Sequence, residues 1–388
     1  MVADNTIDRF AGDGIDHSAT NIIMQGNHIT NGLDICGSKC IHNDAIQGWN
    51  WDDKLGITNK NVVIDSNYIE SQTVTNLPLA TTQLEGISIF DGFWQNVSIT
   101  NNVVLTSGLG GITIAGVSGL HIVNNTVMDI PLNGVSQSRI YWIFPGATWI
   151  TAGGTTHEGG TTSNVIVRNL NVQGVWPNSG ADDTLHSQGS HHIWYDHLNI
   201  WDATDGEMDI TIASNYHTVS WCKFSYTSAS NGHRLCSLNG SGGGDHPEDS
   251  GHEKATYHHN WWSTLVNERM PRMMYGQLHA FNNYYSATGN SYCIGVGSFG
   301  SAVIENNYFK GVNNPHQFMY DLHAYIAATG NTYDNTTGLK DTGLGGTAGP
   351  SGVNAGVEDA GPFTPPYSYT MDKVADVPAI VQKCAGPH

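Results

Sequence analysis

Charge, and positive charge above all, is scarce in this 388-residue chain: Lys and Arg together number 15, and charged residues make up 13 %. Against them stand 34 Asp and Glu, for a formal net charge of −19. Nucleic acid and anionic membrane surfaces require clustered cations, so neither is expected as a partner. No run of 18 apolar residues occurs, which argues against a transmembrane helix. The opening Met1-Val2-Ala3-Asp4-Asn5 lacks the basic and then apolar segment of a secretory leader. A secreted protein with a replaced start and a cytoplasmic one both fit.

Cysteine is sparse as well. Cys36, Cys40, Cys222, Cys236, Cys293 and Cys384 are too few and too scattered for a disulfide scaffold. Cys36 and Cys40 form the one close pair, and without a second pair nearby a zinc site is not expected. Cys222 and Cys236 lie in apolar strand patterns and read as buried thiols. The residues that favour helices give way to Gly (46 residues), Asn, Thr, Ser and His, a composition of short strands and many turns.

What the chain does have is a repeat. Alternating apolar residues run into a polar corner, usually Asn, followed by a β-branched or aromatic pair. Anchors fall at Asn27, Asn67, Asn102, Asn125, Leu170, His197, Lys223, Asn260, Asn283, Asn307 and Asn331. Their spacings are 40, 35, 23, 45, 27, 26, 37, 23, 24 and 24 residues. A floor near 23 with longer excursions is the signature of a β-solenoid, whose coils have a minimum length and take insertions at their corners. The 45-residue gap leaves room for one more coil around Ile140 to Ala152. Roughly 11 or 12 coils at about 4.8 Å each predict a rod near 55 Å long. The corner Asn residues are expected to form a hydrogen-bonded ladder, and the pairs Trp261-Trp262, Tyr284-Tyr285 and Tyr308-Phe309 to stack inside. His197, His258 and His259 read as packing residues. From Gly338 to Pro366 the chain turns Gly- and Pro-rich, an irregular arm, and Asp372 to Lys383 is expected to pack on the rod as a cap.

Counting from the anchors, Asp183, Asp205, Asp209, Arg234, Arg269 and Arg272 fall at nearly the same phase of four consecutive coils. Three carboxylates and three guanidiniums would then line one stripe. Strand alternation in TDGEMDI puts Asp205, Glu207 and Asp209 on one face and Met208 and Ile210 on the other. Like charges so close repel unless a cation is bound, and hard oxygen ligands point to Ca²⁺. A solvated acidic patch is the bland alternative. The flanking arginines suit an acidic ligand.

These residues resemble the pectate lyases of polysaccharide lyase family 1. The likeness is carried by NVIVRNL, SHHIWYDH, DGEMD, TYHHNWW, ERMPR, HAFNNYY and ENNYF, and by the closing TPPYSYTMDKVADVPAIV. It implies an all-β, right-handed parallel β-helix, here of roughly 11–12 coils with an irregular C-terminal arm. It also implies Ca²⁺ held by Asp183, Asp205 and Asp209, Arg269 as the base, and β-elimination of polygalacturonate to 4,5-unsaturated oligogalacturonides by a secreted, monomeric enzyme. Arg234 and Arg272 would bind substrate. The chain departs from the family pattern where Ala181 replaces a further metal-binding Asp, where a substrate Lys is missing near Arg234, and where Met274 replaces the second Arg of an RxPxxR pattern.

Residues 1–137 resemble other bacterial β-helix proteins instead, and residues 138–388 the lyases. Two units, or one continuous solenoid, are both expected outcomes. The His42, Asp44, Trp49, Trp51, Asp52 and Asp53 cluster is read as an insertion with buried tryptophans rather than a sugar site. A pectin lyase would not need the carboxylates, and a polygalacturonase would need paired acid and base carboxyls that only Asp182-Asp183 offers. The competing reading is a weak or inactive β-helix serving as a polysaccharide-binding or structural module.

Overall fold

The structure, a computed structural model, describes residues 1–33, 43–50, 57–74, 77, 84–90, 92–106, 110–129, 139–144, 163–174, 183–240, 249–319, 323–345 and 360–388. Cys36, Cys40, His42, Trp51, Asp52, Asp53, Ala181 and Asp182 lie outside them. Among these residues the chain winds into three long sheets of 13, 12 and 11 strands, each strand but the last of the 13-strand sheet pairing in parallel with the next coil. The architecture is a right-handed parallel β-helix. In one coil, Asn199–Trp201 belongs to the 12-strand sheet, Asp209–Thr211 to the 11-strand sheet and Asn215–Ser220 to the 13-strand sheet.

The tight corner between the 13- and 12-strand sheets explains the Asn repeat. A left-handed residue turns the chain (Ser66, Asn101, Asn124, Asn282 and Asn306 have φ between 53° and 58°). Asn tolerates that region better than most residues. The next residue then points inward. Asn27, Asn67, Asn102 and Asn125 donate in turn from Nδ2 to the following Oδ1 at 2.9, 2.9 and 2.8 Å. Asn260, Asn283, Asn307 and Asn331 repeat this at 3.0, 3.0 and 3.1 Å. The other amide N–H of Asn102 donates to the Ile64 carbonyl at 3.0 Å, so a buried amide leaves no donor idle.

Between the two ladders the corner is apolar: Leu170, Leu198 and Cys222 occupy it, all fully buried. The anchors at His197 and Lys223 are therefore each one residue out of register. His197 is instead the left-handed residue before the corner, with φ 53°. Lys223 begins the next strand. Since Val117–Val123 pairs directly with Ser163–Arg168, the long gap after Asn125 holds no additional coil among the described residues. Its strand Arg139–Phe144 pairs between Gly110–Ala115 and Leu185–Gln188 as the 11-strand-sheet member of the same coil.

Inside the rod one column changes character along its length. Ile7, Ile29, Ile69, Val104, Val127, Val172 and Ile200 follow one another in register, and then Phe224, Trp262, Tyr285, Phe309 and Tyr333. Phe224 and Trp262 stack at 4.4 Å, as do Tyr285 and Phe309. Only the second member of each aromatic pair points inward, because a strand alternates its faces. The first members, Trp261, Tyr284 and Tyr308, point out and pack against the helix Val377–Cys384, which buries Val377 and Val381 on Tyr284. That helix covers a flank of the rod. Among the described residues the last coil is closed by Gly343–Gly345, antiparallel to Ala324–Thr329. No described helix is long and apolar enough to cross a membrane.

Pairing is continuous across the expected boundary near residue 137: Val117–Val123 pairs with Ser163–Arg168, and Thr126–Asp129 with Asn171–Gln173.

Candidate active site

The charged stripe lies on the outer face of the 11-strand sheet and on the turns that lead into it. His186 pairs with Asp209. Asp209 Oδ1 accepts the backbone N–H of Leu238 on the next coil at 2.9 Å. Leu238 pairs with Arg272, and Arg272 with Gly295. Parallel stacking without slippage thus delivers side chains that are 86 residues apart in sequence (His186 to Arg272) to one row.

Asp183 and Asp209 converge. Asp183 Oδ1 accepts the Gly206 N–H at 2.9 Å. A Cβ at Gly206 would stand 2.4 Å from Asp209 Oδ1 and 2.8 Å from Asp183 Oδ1. Only glycine fits between the two carboxylates. Each also faces a nitrogen base: His186 Nδ1 lies 2.9 Å from Asp183 Oδ2, and Arg269 Nη1 3.5 Å from Asp209 Oδ2. His186 Nε2 lies 2.9 Å from the Thr211 hydroxyl. That contact suits Nε2 as acceptor and Nδ1–H as the donor to Asp183, an assignment made from the network.

Burial, and then the charge of Asp183, push the Asp209 carboxyl up to about 8, although Arg269 pulls it down. A pair of carboxylates that cannot both ionise comfortably is what a bound cation relieves. Asp205, on the same turn, has its Oδ1 buried with no hydrogen-bond partner among the described residues, 3.7 Å from His233 Nε2. No group of three or more His, Cys, Asp or Glu side chains among the described residues is placed to hold a metal ion. The oxygen donors of Asp183 and Asp209, with Asp205 on the neighbouring turn, are of the type that Ca²⁺ takes, and most of the six to eight oxygens around such an ion would have to come from water or ligand.

Arg269 sits at a left-handed backbone position, φ 59°, with a side chain 15 % exposed and a buried Nε that has no hydrogen-bond partner among the described residues. Such a backbone costs an L-residue roughly 1–2 kcal/mol, and it brings the guanidinium against Asp209. Arg272 is buried beside Tyr292, whose phenol burial raises to about 12 while Arg272 draws it down. Arg234 is turned into its own loop: Nε donates to the Leu265 carbonyl at 2.7 Å, and Nη1 to those of Ala229 and Asn231 at 2.7 and 2.8 Å. Among the described residues Nη2 has no hydrogen-bond partner. Met274 is wholly buried with Leu238, Tyr275 and Phe299.

Glu207 does not share a face with Asp209. The turn at 203–208 is not a strand, and Glu207 is fully buried with its Oε2 3.0 Å from Cys236 Sγ. Burial holds both the Glu207 carboxyl and the Cys236 thiol well above their usual ranges. His186 and His233 were absent from the stripe read off the repeat, yet both face its carboxylates. The cue for His186 was its place three residues after Asp183.

A family model described as pectate lyase matches residues 146–371. A pectate trisaccharide-lyase of Thermotoga maritima is 34 % identical over 255 residues, 58 % of this chain and 64 % of that protein. The chain spans less than two thirds of the length of the curated relatives from Thermotoga and Neosartorya fischeri that it matches. A pectate lyase from Bacillus sp. N165, solved in complex with trigalacturonate, superposes with a TM-score of 0.50 at 20 % identity, over 76 % of this chain and 86 % of that one. Pectate lyase C of Erwinia chrysanthemi, solved at pH 9.5 with 30 mM Ca²⁺, gives 0.50 at 22 % identity, over 74 % and 82 %.

Proposed function

Since this chain belongs to the pectate lyase family, we propose that it cleaves polygalacturonate by Ca²⁺-dependent β-elimination, releasing 4,5-unsaturated oligogalacturonides outside the cell. The observation that carries the reading is the approach of Arg269 to Asp209 beside the Asp183 and Gly206 contact. An acid-binding locus and a base then share one patch. Ca²⁺ held by Asp183, Asp205 and Asp209 would bind the uronate carboxylate and lower the pKa of the adjoining C5–H.

The chain's own residues do the rest. Arg269, in its neutral form, takes the C5 proton. The C5–H electron pair becomes the C4=C5 double bond, the C4–O4 bond breaks, and the O4 leaving group is protonated by solvent. A guanidinium is a poor base in water, so the proposed role rests on the placement of Arg269 against the C5 proton beside Asp209. Arg272, in the row of Asp209, and Nη2 of Arg234 are proposed to hold neighbouring uronate carboxylates, charge-assisted contacts that fix the register of the polymer. His186 orients Asp183. Residues 1–137 are proposed to extend the rod rather than to carry chemistry, and the protein to act as a monomer.

The test is ultraviolet absorbance of unsaturated uronide with polygalacturonate at alkaline pH, in Ca²⁺ and in chelator. A rise that needs Ca²⁺ and disappears in Arg269→Ala is expected. Folded protein that gives no rise in either condition would overturn the reading in favour of a binding or scaffold β-helix.

A further inference from the structure

A groove of about 610 Å³ lies on the outer face of the 13-strand sheet, a different face from that of the carboxylates. In-register pairing stacks Ile166, Trp194, Thr218, Thr256 and His279 in one outward row. Trp194 forms one wall and the two threonines a low floor. The C-terminal arm supplies the opposite wall, where the Tyr367 hydroxyl is held by Thr256 Oγ1 at 2.5 Å and His279 Nδ1 at 2.7 Å. With about 4.8 Å between coils, the slot from Trp194 to the Tyr367 level is on the order of 10 Å, room for a sugar ring between aromatic walls.

The walls are built rather than incidental. The Trp194 indole N–H donates to Ser220 Oγ at 2.8 Å, and the Ser220 hydroxyl donates to the buried Asp196 at 2.6 Å. The ring is thereby fixed while 37 % of Trp194 stays exposed. Tyr216, 49 % exposed, lines the same groove, with Lys254 Nζ 5.4 Å from the centre of its ring. Lys254 makes no ion pair with a described residue. In a chain with 34 Asp and Glu, none of the described residues lining this groove is acidic.

We infer that the groove is a second, non-catalytic site for a uronic-acid oligosaccharide, its ring between Trp194 and Tyr367 and its carboxylate on Lys254. The choice of a uronate rests on the lyase reading above as well as on the cationic, acid-free lining. Rigid aromatic faces bind at low entropic cost, and an ammonium with no ion pair among the described residues selects the charged sugar. One rod would then hold polymer on one face while another face acts on it.

Affinity electrophoresis through gels containing polygalacturonate, run in chelator to silence Ca²⁺-dependent binding, tests this. Wild-type protein is expected to be retarded, with apparent affinity about tenfold weaker in Trp194→Ala and in Lys254→Glu, and partly restored in Trp194→Phe. Lys254→Glu replaces a surface side chain, so it remains informative if Trp194→Ala unfolds. No retardation of wild type, or retardation untouched by both substitutions, overturns the inference. Equal retardation by a neutral galactan overturns the uronate as occupant. Trp194-dependent retardation from a protein that forms no unsaturated product would leave the groove standing and the lyase reading fallen.

Discussion

The coils up to Asn125 and those from Leu170 onward turn at the same corner, yet they fill it differently. In the first, the corner amides run unbroken and the interior column is Ile and Val. In the second, the corner is apolar at Leu170, Leu198 and Cys222, and the column turns aromatic from Phe224. The apolar corners belong to the coils that carry Asp183, Asp209 and Arg234. The amide ladder secures the coil, but the chain also closes a coil with plain apolar packing where the outer face is occupied by charges. Regularity of the corner and chemistry of the face are separable properties of a coil.

The sharpest way to break this comparison uses the row on the 11-strand sheet. Asp16 pairs with Gln47, and Gln47 with Ser88, in the coils that carry no arginine partner. Arg269→Ala is expected to lower product formation by about 10³-fold, in the range of a lost general base, while Asp16→Asn leaves the rate unchanged. A comparable loss in Asp16→Asn would mean that chemistry is not confined to the later coils. Next in size, Trp262→Ala should cost about 4 kcal/mol by urea denaturation, since it removes a fully buried ring stacked on Phe224 and followed by Tyr285. Asn102→Leu should cost about 2–3 kcal/mol, because the Asn67 amide loses its acceptor inside the rod. Cys222→Asn, which faces Asn260 across the corner, should change stability by less than about 1 kcal/mol in the same assay.

The two halves should also part company at high pH. Burial and the neighbouring Asp249 push the Glu253 carboxyl up to about 10. The folded protein keeps that proton while the unfolded chain releases it near the ordinary carboxylate range. The stabilisation is complete at acid pH and is lost as pH climbs toward 10. Melting temperature measured from pH about 5 to 10 should fall, and Glu253→Gln should flatten that fall. An unchanged slope in the variant would assign the alkaline sensitivity elsewhere.

The fold was legible because a solenoid writes its period into the chain many times over, so one misread corner does not disturb the rest. His197 and Lys223 were misread because polar residues flank Leu198 and Cys222, and alternation cannot tell which neighbour turns inward. The arginines of the stripe stood out by rarity and phase, the carboxylates by phase alone. Glu207 was misplaced because alternation holds only in extended chain, and residues 203–208 turn. His186 was missed although it stands three residues after its partner Asp183, because the count from the anchors picked out only Asp and Arg, and the tethering of Arg234 depends on loop carbonyls that carry no side-chain signature.

Gly206 offers a handle that the charged residues do not. Any change to Asp183 or Asp209 alters the electrostatics of the whole patch along with its shape, so a lost activity could be laid to either. Adding a single methyl at Gly206 leaves the net charge at −19 and every titratable group in the chain, yet wedges the two carboxylates apart. The smallest substitution available in the site is thus also the cleanest, because it isolates geometry as the variable.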